Sequence, residues 1–411
     1  MKVLGVNWAD SVGSRFNGVA IKDELKLLGI DYSLAVGLKK EMNESWIHDA
    51  VKKQAWARRL LTVYQILEKS SGFQSRFFFF ISNLTRLKAF READLIHIHI
   101  VHNGWFRLST LKRLSKKKTI LWTIHDPWLL TGHCVFPLGC SRFNNGCGHC
   151  PDLLSPLPVY RDRTKSEVIY KKELIENLDV KLHFSTNWFR NLFDQHINFE
   201  DSKKYIIPFG INLERFTPRP DLGKGLRGSL GIHEDDFVVV IRTTSNPQKG
   251  TRFFLEALKN VSRNLVILSV DENNHLNDVI GKHSIIEFGW VSNEDRMIEI
   301  LNAADLLVMP SLDETFGVMA LEAMACGTPI LYFADTAIHE VVRGNENYAM
   351  KRKGYAKQIE SHLKRFIEDK TLLSIESIRV RQIAEEFYSS QRYAEDLANL
   401  YKSLITEKNI Q

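Results

Sequence analysis

Short apolar runs separated by amphipathic stretches recur along the chain. Residues 3–7, 31–36, 95–100, 119–124 and 181–185 read as buried strands, and a helical pattern over 18–28 closes at Gly29. Strand, Gly-containing loop, helix, strand is the order in which a doubly wound α/β domain opens. Three prolines and a glycine between Pro208 and Pro220, followed by a polar Gly-rich run at 221–231, predict a domain boundary. The alternation then restarts with strands at 237–241, 265–270, 285–288, 305–309 and 329–333. Beyond about residue 350 the chain reads as helical, and 384–405 carries an apolar face with Phe387, Tyr393, Leu397 and Tyr401.

One strand, loop, helix unit stands out at 309–331. Pro310 ends the strand, a helix begins near Gly317, and Gly327 with Pro329 stops it. Glu314 lies in the loop, where a carboxylate complements a helix N-terminus. Glu322 lies inside the helix among Met319, Ala320, Leu321, Ala323, Met324 and Ala325. A carboxylate in such surroundings is costly unless something pairs with it.

Length and charge sharpen the picture. At 411 residues the chain suits two domains, and 44% hydrophobic with 25% charged residues is an ordinary globular balance. The chain opens directly as a strand and its longest apolar patch, 77–81, is short of a membrane span, so a cytoplasmic protein is expected. Residues 1–200 hold 29 Lys and Arg against 19 Asp and Glu, whereas 201–411 hold 26 against 30. The positive charge thus belongs to the first half, which suits an anionic partner. Between 55 and 91, Arg58, Arg59, Lys69, Arg76, Arg86, Lys88 and Arg91 interleave with Trp56, Tyr64, Phe73 and the Phe run 77–80. That mixture fits either the inner face of a membrane or a helix packed on its own domain.

Candidate chemistry clusters at predicted strand ends. Arg242 follows the 237–241 strand, and Lys249-Gly250 opens the next helix; two cations framing a polar loop suit a diphosphate. His125 ends the 119–124 strand, beside Asp126 and ahead of Pro127. The 13–18 loop, with Asn17 and Gly18, lets a ligand approach the backbone but lacks the dinucleotide fingerprint. Between 132 and 151, Cys134, Cys140, Cys147 and Cys150 include a Cys-x2-Cys pair, a spacing that suits a closed structural zinc site. Buried thiols and a redox pair are the alternatives.

Taken together, these residues resemble the retaining glycosyltransferases of family 4. The marks are Pro310-Ser311, then Glu314 to Glu322 in a Glu-x7-Glu spacing, then Ala325-Cys-Gly-Thr-Pro329, together with Arg242, Lys249-Gly250 and the 208–216 segment. The block from Trp122 to Cys134 with the later cysteines is similar to a subgroup in bacterial colanic acid, capsule and O-antigen synthesis. The resemblance implies a GT-B architecture of two Rossmann-like domains facing across a cleft. Its parts would be an acceptor-binding domain over 1–207, a nucleotide-sugar domain over 208–385 and a helix over 386–411 returning to the first domain. It also implies the site roles. Glu322 would take the ribose hydroxyls, Glu314 would face the donor hexose, and Phe316 and Gly317 would offer backbone N–H groups. Arg242 and Lys249 would neutralise the diphosphate without a metal, His125 would reach the donor sugar, Asn17 and Gly18 would lie near the phosphates, and Trp290 and Val291 would meet the base.

The expectation is therefore a metal-independent transferase that moves a hexose from a UDP- or GDP-sugar to a lipid-linked or polysaccharide acceptor, with no nucleic acid partner. An epimerase of the same fold and a zinc-bearing nucleic-acid-binding protein are the alternatives. The Arg242 to Lys249 spacing of seven and the absence of a Gly pair at 334–340 depart from the family pattern.

Overall fold

A computed structural model describes residues 1–10, 14–39, 41–52, 54–78, 83–154, 157–273, 283–344, 349–350 and 355–410. Gly13 of the first loop and most of the aromatic run 77–81 therefore lie outside the described residues. The chain divides into two compact units, Met1–Gly210 with Ser390–Gln411, and Ile211–Ser389.

In the first unit seven strands form one sheet: β1 (Lys2–Ala9), β2 (Asp31–Lys39), β3 (Ile47–Asp49), β4 (Leu95–Ile98), β5 (Thr119–Thr123), β6 (Lys181–Phe184) and β7 (Lys204–Ile206). Their order is β3-β2-β1-β4-β5-β6-β7 and every pairing is parallel. Helices cover both faces, so the strands are apolar runs rather than alternations. Val6, Ile96, Ile98, Leu182 and Phe184 are all fully buried.

The second unit has six strands, β8 (Phe237–Thr243), β9 (Leu265–Asp271), β10 (Ser284–Glu287), β11 (Leu306–Met309), β12 (Ile330–Phe333) and β13 (Ala349–Met350). Again all pairings are parallel, in the order β10-β9-β8-β11-β12-β13. In each sheet the order of the strands reverses once, between β1 and β4 and between β8 and β11. Open α/β sheets bind their ligands beyond the strand C-termini at such switch points.

Two sequence expectations are corrected here. The polar Gly-rich run that follows the 208–220 boundary segment is not irregular: Pro220–Ser229 is a helix, started by Pro220 in its first turn. Gly223 lets it approach the helix Glu294–Ala303 closely, since a Cβ there would fall 2.2 Å from the Asn302 carbonyl oxygen. The final helical stretch is broken at Tyr388-Ser389 into Lys370–Phe387 and Ser390–Ile410. The chain leaves the second unit at this break, where Ile211 bridges Ser389 and its N–H bonds the Tyr388 carbonyl at 2.8 Å. The last helix rejoins the first unit: Ser390 Oγ donates to Glu24 at 3.1 Å, and Tyr401 meets His97 at 2.7 Å.

Candidate active site

In the second unit, the connections after β8 and β11 are laced together at the switch point. Asn246 caps a single turn, Pro247–Lys249, by accepting from Gln248 N–H at 3.0 Å. Gln248 then holds the other loop twice, accepting from Leu312 N–H and donating its amide to the Asp313 carbonyl, each at 2.7 Å. Gly250, at φ 68°, lies so close to Pro310 that a Cβ would fall 1.9 Å from its carbonyl oxygen. Any other residue there would push the loops apart.

The lacing sets Lys249 against Glu314, with Nζ 2.5 Å from Oε1 and both side chains largely buried. Arg242 is the penultimate residue of β8, inside the strand rather than after it. Its Nε donates to Asp271 Oδ2 at 2.7 Å, and its guanidinium lies 5.9 Å from the centre of the Trp290 ring. Asp271 holds this position at φ 99°, a conformation costing about 1–3 kcal/mol outside glycine. Beside it, Glu272 fixes the 243–246 loop through Thr244 Oγ1 at 2.9 Å and Ser245 N–H at 2.8 Å.

Gly317, at φ 89°, is the N-cap of the helix Val318–Ala325 and makes no side-chain cap. The first N–H groups of that helix therefore remain donors toward the loop that carries Glu314. The ring of Phe316 packs edge-on against Tyr388 at 6.0 Å, toward the final helical stretch. Glu322 is buried at 7% exposure in the second turn of the helix, and Trp290 stands 68% exposed with Val291 half-buried beside it. Of the predicted residues, then, Lys249 pairs with Glu314 and Arg242 lies against Trp290. Asp271, Glu272 and Gln248 went unnoticed in the sequence because a lone carboxylate or amide at a strand end carries no spacing signal.

In the first unit His125 Nε2 lies 3.1 Å from His99 Nδ1, and its ring meets Phe16 at 4.3 Å and Phe209 at 5.8 Å. Burial and the neighbouring histidines hold its pKa well below the usual value, so it is neutral at pH 7. Phe16 thus joins His125 to the loop carrying Asn17 and Gly18. Asn17 is fully buried and uses its side chain on the loop, donating to the Asp10 carbonyl at 3.3 Å and accepting from Val19 N–H at 3.1 Å. Gly18, at φ 90°, leaves room for Tyr32, whose ring a Cβ would approach to 2.3 Å.

The four cysteines of the 132–151 segment are free thiols, each partly exposed. Cys150 Sγ lies 3.4 Å from His133 Nε2. Burial pushes the Cys134 thiol up to about 11 and raises Cys147 and Cys150, so these three are protonated at pH 7. Among the described residues no group of three or more His, Cys, Asp or Glu is arranged to hold a metal ion.

The family match falls on the second unit. Residues 234–369 match the family model of glycosyl transferases group 1. The second unit carries a glycosyl transferases group 1 domain. The chain is 23% identical over 330 residues to the "Putative colanic acid biosynthesis glycosyl transferase WcaC" of Escherichia coli, covering 75% of this chain and 76% of that protein. Other curated relatives align over about half to three-fifths of their own length. Among solved structures, sucrose-phosphate synthase from Thermosynechococcus elongatus superposes with a TM-score of 0.69 at 15% identity over 99% of this chain and 100% of that one. Anabaena Alr3699/HepE in complex with UDP-glucose gives 0.65 at 14% identity, over 98% and 100%. The fold is therefore GT-B, built from two Rossmann-like parallel-sheet domains, and the sequence likeness is to glycosyltransferases.

Proposed function

We propose that this protein is a retaining glycosyltransferase of the family 4 type. It moves a hexose from a nucleoside-diphosphate sugar, UDP- or GDP-linked, to a saccharide acceptor of bacterial surface polysaccharide synthesis. The Lys249–Glu314 pair at the β8/β11 switch point carries the reading. A cation and a carboxylate held side by side, next to an uncapped helix N-terminus, suit a sugar diphosphate, which presents anionic oxygens and hydroxyls together. Arg242 adds a second fixed cation, so the side chains themselves supply charge where a metal would otherwise neutralise the leaving diphosphate. Colanic acid synthesis in the WcaC description and UDP-glucose in the HepE complex agree with this donor and this acceptor class.

The acceptor is carried at an anionic membrane surface. The helix Ala55–Ser71 supports this, turning Trp56, Val63, Ile66 and Leu67 outward with Arg58 and Arg59. No helix among the described residues is long and apolar enough to cross a membrane. A thermal-shift panel of UDP-, GDP- and ADP-hexoses, with and without EDTA, tests the donor assignment. Stabilisation by one of them that survives EDTA and is lost in Glu322→Ala is the expected result; no stabilisation by any of them refutes it.

A further inference from the structure

Asp271 ends β9 in a backbone conformation that its main-chain surroundings do not require. Its φ of 99° is the largest positive value of any described residue other than glycine. The backbone bonds made there run from its N–H to the Gly289 carbonyl at 2.8 Å and from Glu272 N–H to the Thr243 carbonyl at 3.0 Å. A glycine would make both without strain. Only the side chain is left to account for an aspartate, and its one described polar partner is Arg242, whose Nε donates to Oδ2 at 2.7 Å.

Stability does not explain that bond. The Arg242 side chain is 39% exposed, and an ion pair so open to water stabilises a fold too little to offset a left-handed backbone outside glycine. Charge does not explain it either, because a carboxylate beside Arg242 works against any anion that the guanidinium receives. What the bond supplies is direction. A guanidinium is a planar fork of N–H donors, so holding Nε fixes its plane. Both terminal nitrogens then make no hydrogen bond among the described residues. The neighbouring carboxylate, Glu272, is turned to the 243–246 loop instead, accepting from Thr244 Oγ1 at 2.9 Å, Ser245 N–H at 2.8 Å and Ser245 Oγ at 3.3 Å.

We propose that Asp271 is a positioning residue of the donor site. It aims the Arg242 guanidinium so that the two terminal nitrogens meet the diphosphate of a nucleotide sugar, and the strained backbone persists because a carboxylate is needed at that point. The word donor rests on the transferase reading, whereas the positioning concerns any ligand that presents a diphosphate.

Isothermal titration of the full chain with UDP, GDP, ADP and inorganic pyrophosphate, together with melting temperatures, tests the assignment. Asp271→Gly relieves the strain but loosens the unfolded chain, so its Tm should hold or rise by up to about 4 °C. Its Kd for the diphosphate that the wild type binds should nevertheless rise about tenfold. Asp271→Asn tolerates the left-handed backbone and keeps an oxygen for Nε, so it should stay near the wild-type affinity. In an Arg242→Ala background, Asp271→Gly should change the affinity no further. Wild-type affinity in Asp271→Gly, equal losses in the Gly and Asn variants, a further loss in the Arg242→Ala background, or a fall in Tm that accompanies the lost affinity each overturns the proposal. Pyrophosphate separates the positioning from the donor assignment. Pyrophosphate binding that weakens in Asp271→Gly, in a protein that binds none of the nucleotides, would uphold the positioning and refute the donor; a protein that binds neither nucleotide nor pyrophosphate overturns both.

Discussion

Lys249 and Glu314 lie 65 residues apart in sequence and 2.5 Å apart in space, paired across the two loops of a topological switch point. Removing one partner strands the other charge in a largely buried place, at a cost of about 3–5 kcal/mol, whereas replacing both with apolar groups of similar size is close to neutral. Lys249→Ala should therefore both destabilise the protein and lower transfer by about 10²-fold or more. The double variant Lys249→Met/Glu314→Leu should regain most of the stability in urea unfolding and none of the activity. If activity returns with stability, the pair is structural.

Arg242 uses only Nε on Asp271, and its terminal nitrogens make no other hydrogen bond among the described residues. A lysine can restore the charge but not the planar fork that bonds Asp271 and a phosphate oxygen together. Arg242→Lys should lower kcat/KM about tenfold or more, chiefly through weaker nucleotide-sugar binding. Isothermal titration that finds wild-type affinity for the donor would contradict this.

How far the sequence could be read follows from which interactions are local. Strand runs such as 237–241 and 305–309 are legible because parallel strands buried on both faces are continuously apolar. Glu314 and Glu322 are legible because their spacing and their apolar neighbours travel together in one segment. The Pro220–Ser229 helix is not: its glycines look like linker residues until Asn302, 79 positions after Gly223, explains the close approach. Asp271, Gln248 and Phe16 are missed for the same reason, since each acts on a partner that only the fold brings near. Glu68 looks like one more charge on an amphipathic helix, and only its burial in the fold and the Ser75 N–H it accepts give it a meaning.

A buried row of hydrogen bonds crosses the first sheet to the last helix, and its direction can be deduced. His183 Nε2 faces the Ile207 carbonyl at 2.8 Å and must donate, so its Nδ1 accepts from Thr123 Oγ1 at 2.7 Å. Thr123 in turn accepts from His97 Nε2 at 2.6 Å, and His97 Nδ1 accepts from Tyr401 at 2.7 Å. Both histidines are neutral; burial takes His183 down to about 4 and His97 well below 6.5, with His99 and His183 also pressing on His97. Since the unfolded chain binds these protons near 6.5, stability is full above that pH. For His183 it falls by about 1.4 kcal/mol per unit between about 6.5 and 4, and for His97 at the same slope below 6.5. Tyr401→Phe should cost about 1–3 kcal/mol at pH 7.5 by orphaning His97 Nδ1. Urea unfolding from pH 8 to 4.5, run in a Glu68→Gln background to remove that group's opposing titration, checks both, and a flat profile below 6.5 would show that these rings take up protons in the folded protein as readily as in the unfolded chain.

Glu68 predicts the opposite pH dependence. Burial raises its carboxyl to about 7, with Glu167 adding to the shift and Ser75 N–H and His102 opposing it. The folded state therefore holds this proton more tightly than the unfolded chain, whose carboxyl titrates near 4.5. Stability from this group is complete below 4.5 and is lost as pH rises through about 7. Glu68→Gln removes the dependence, so the variant should gain on the wild type by about 3 kcal/mol between pH 4.5 and 8. Unfolding free energies of the two proteins at pH 5 and pH 8 measure the change directly. An unchanged difference would mean that the carboxyl ionises as in water, with its charge already balanced by its surroundings.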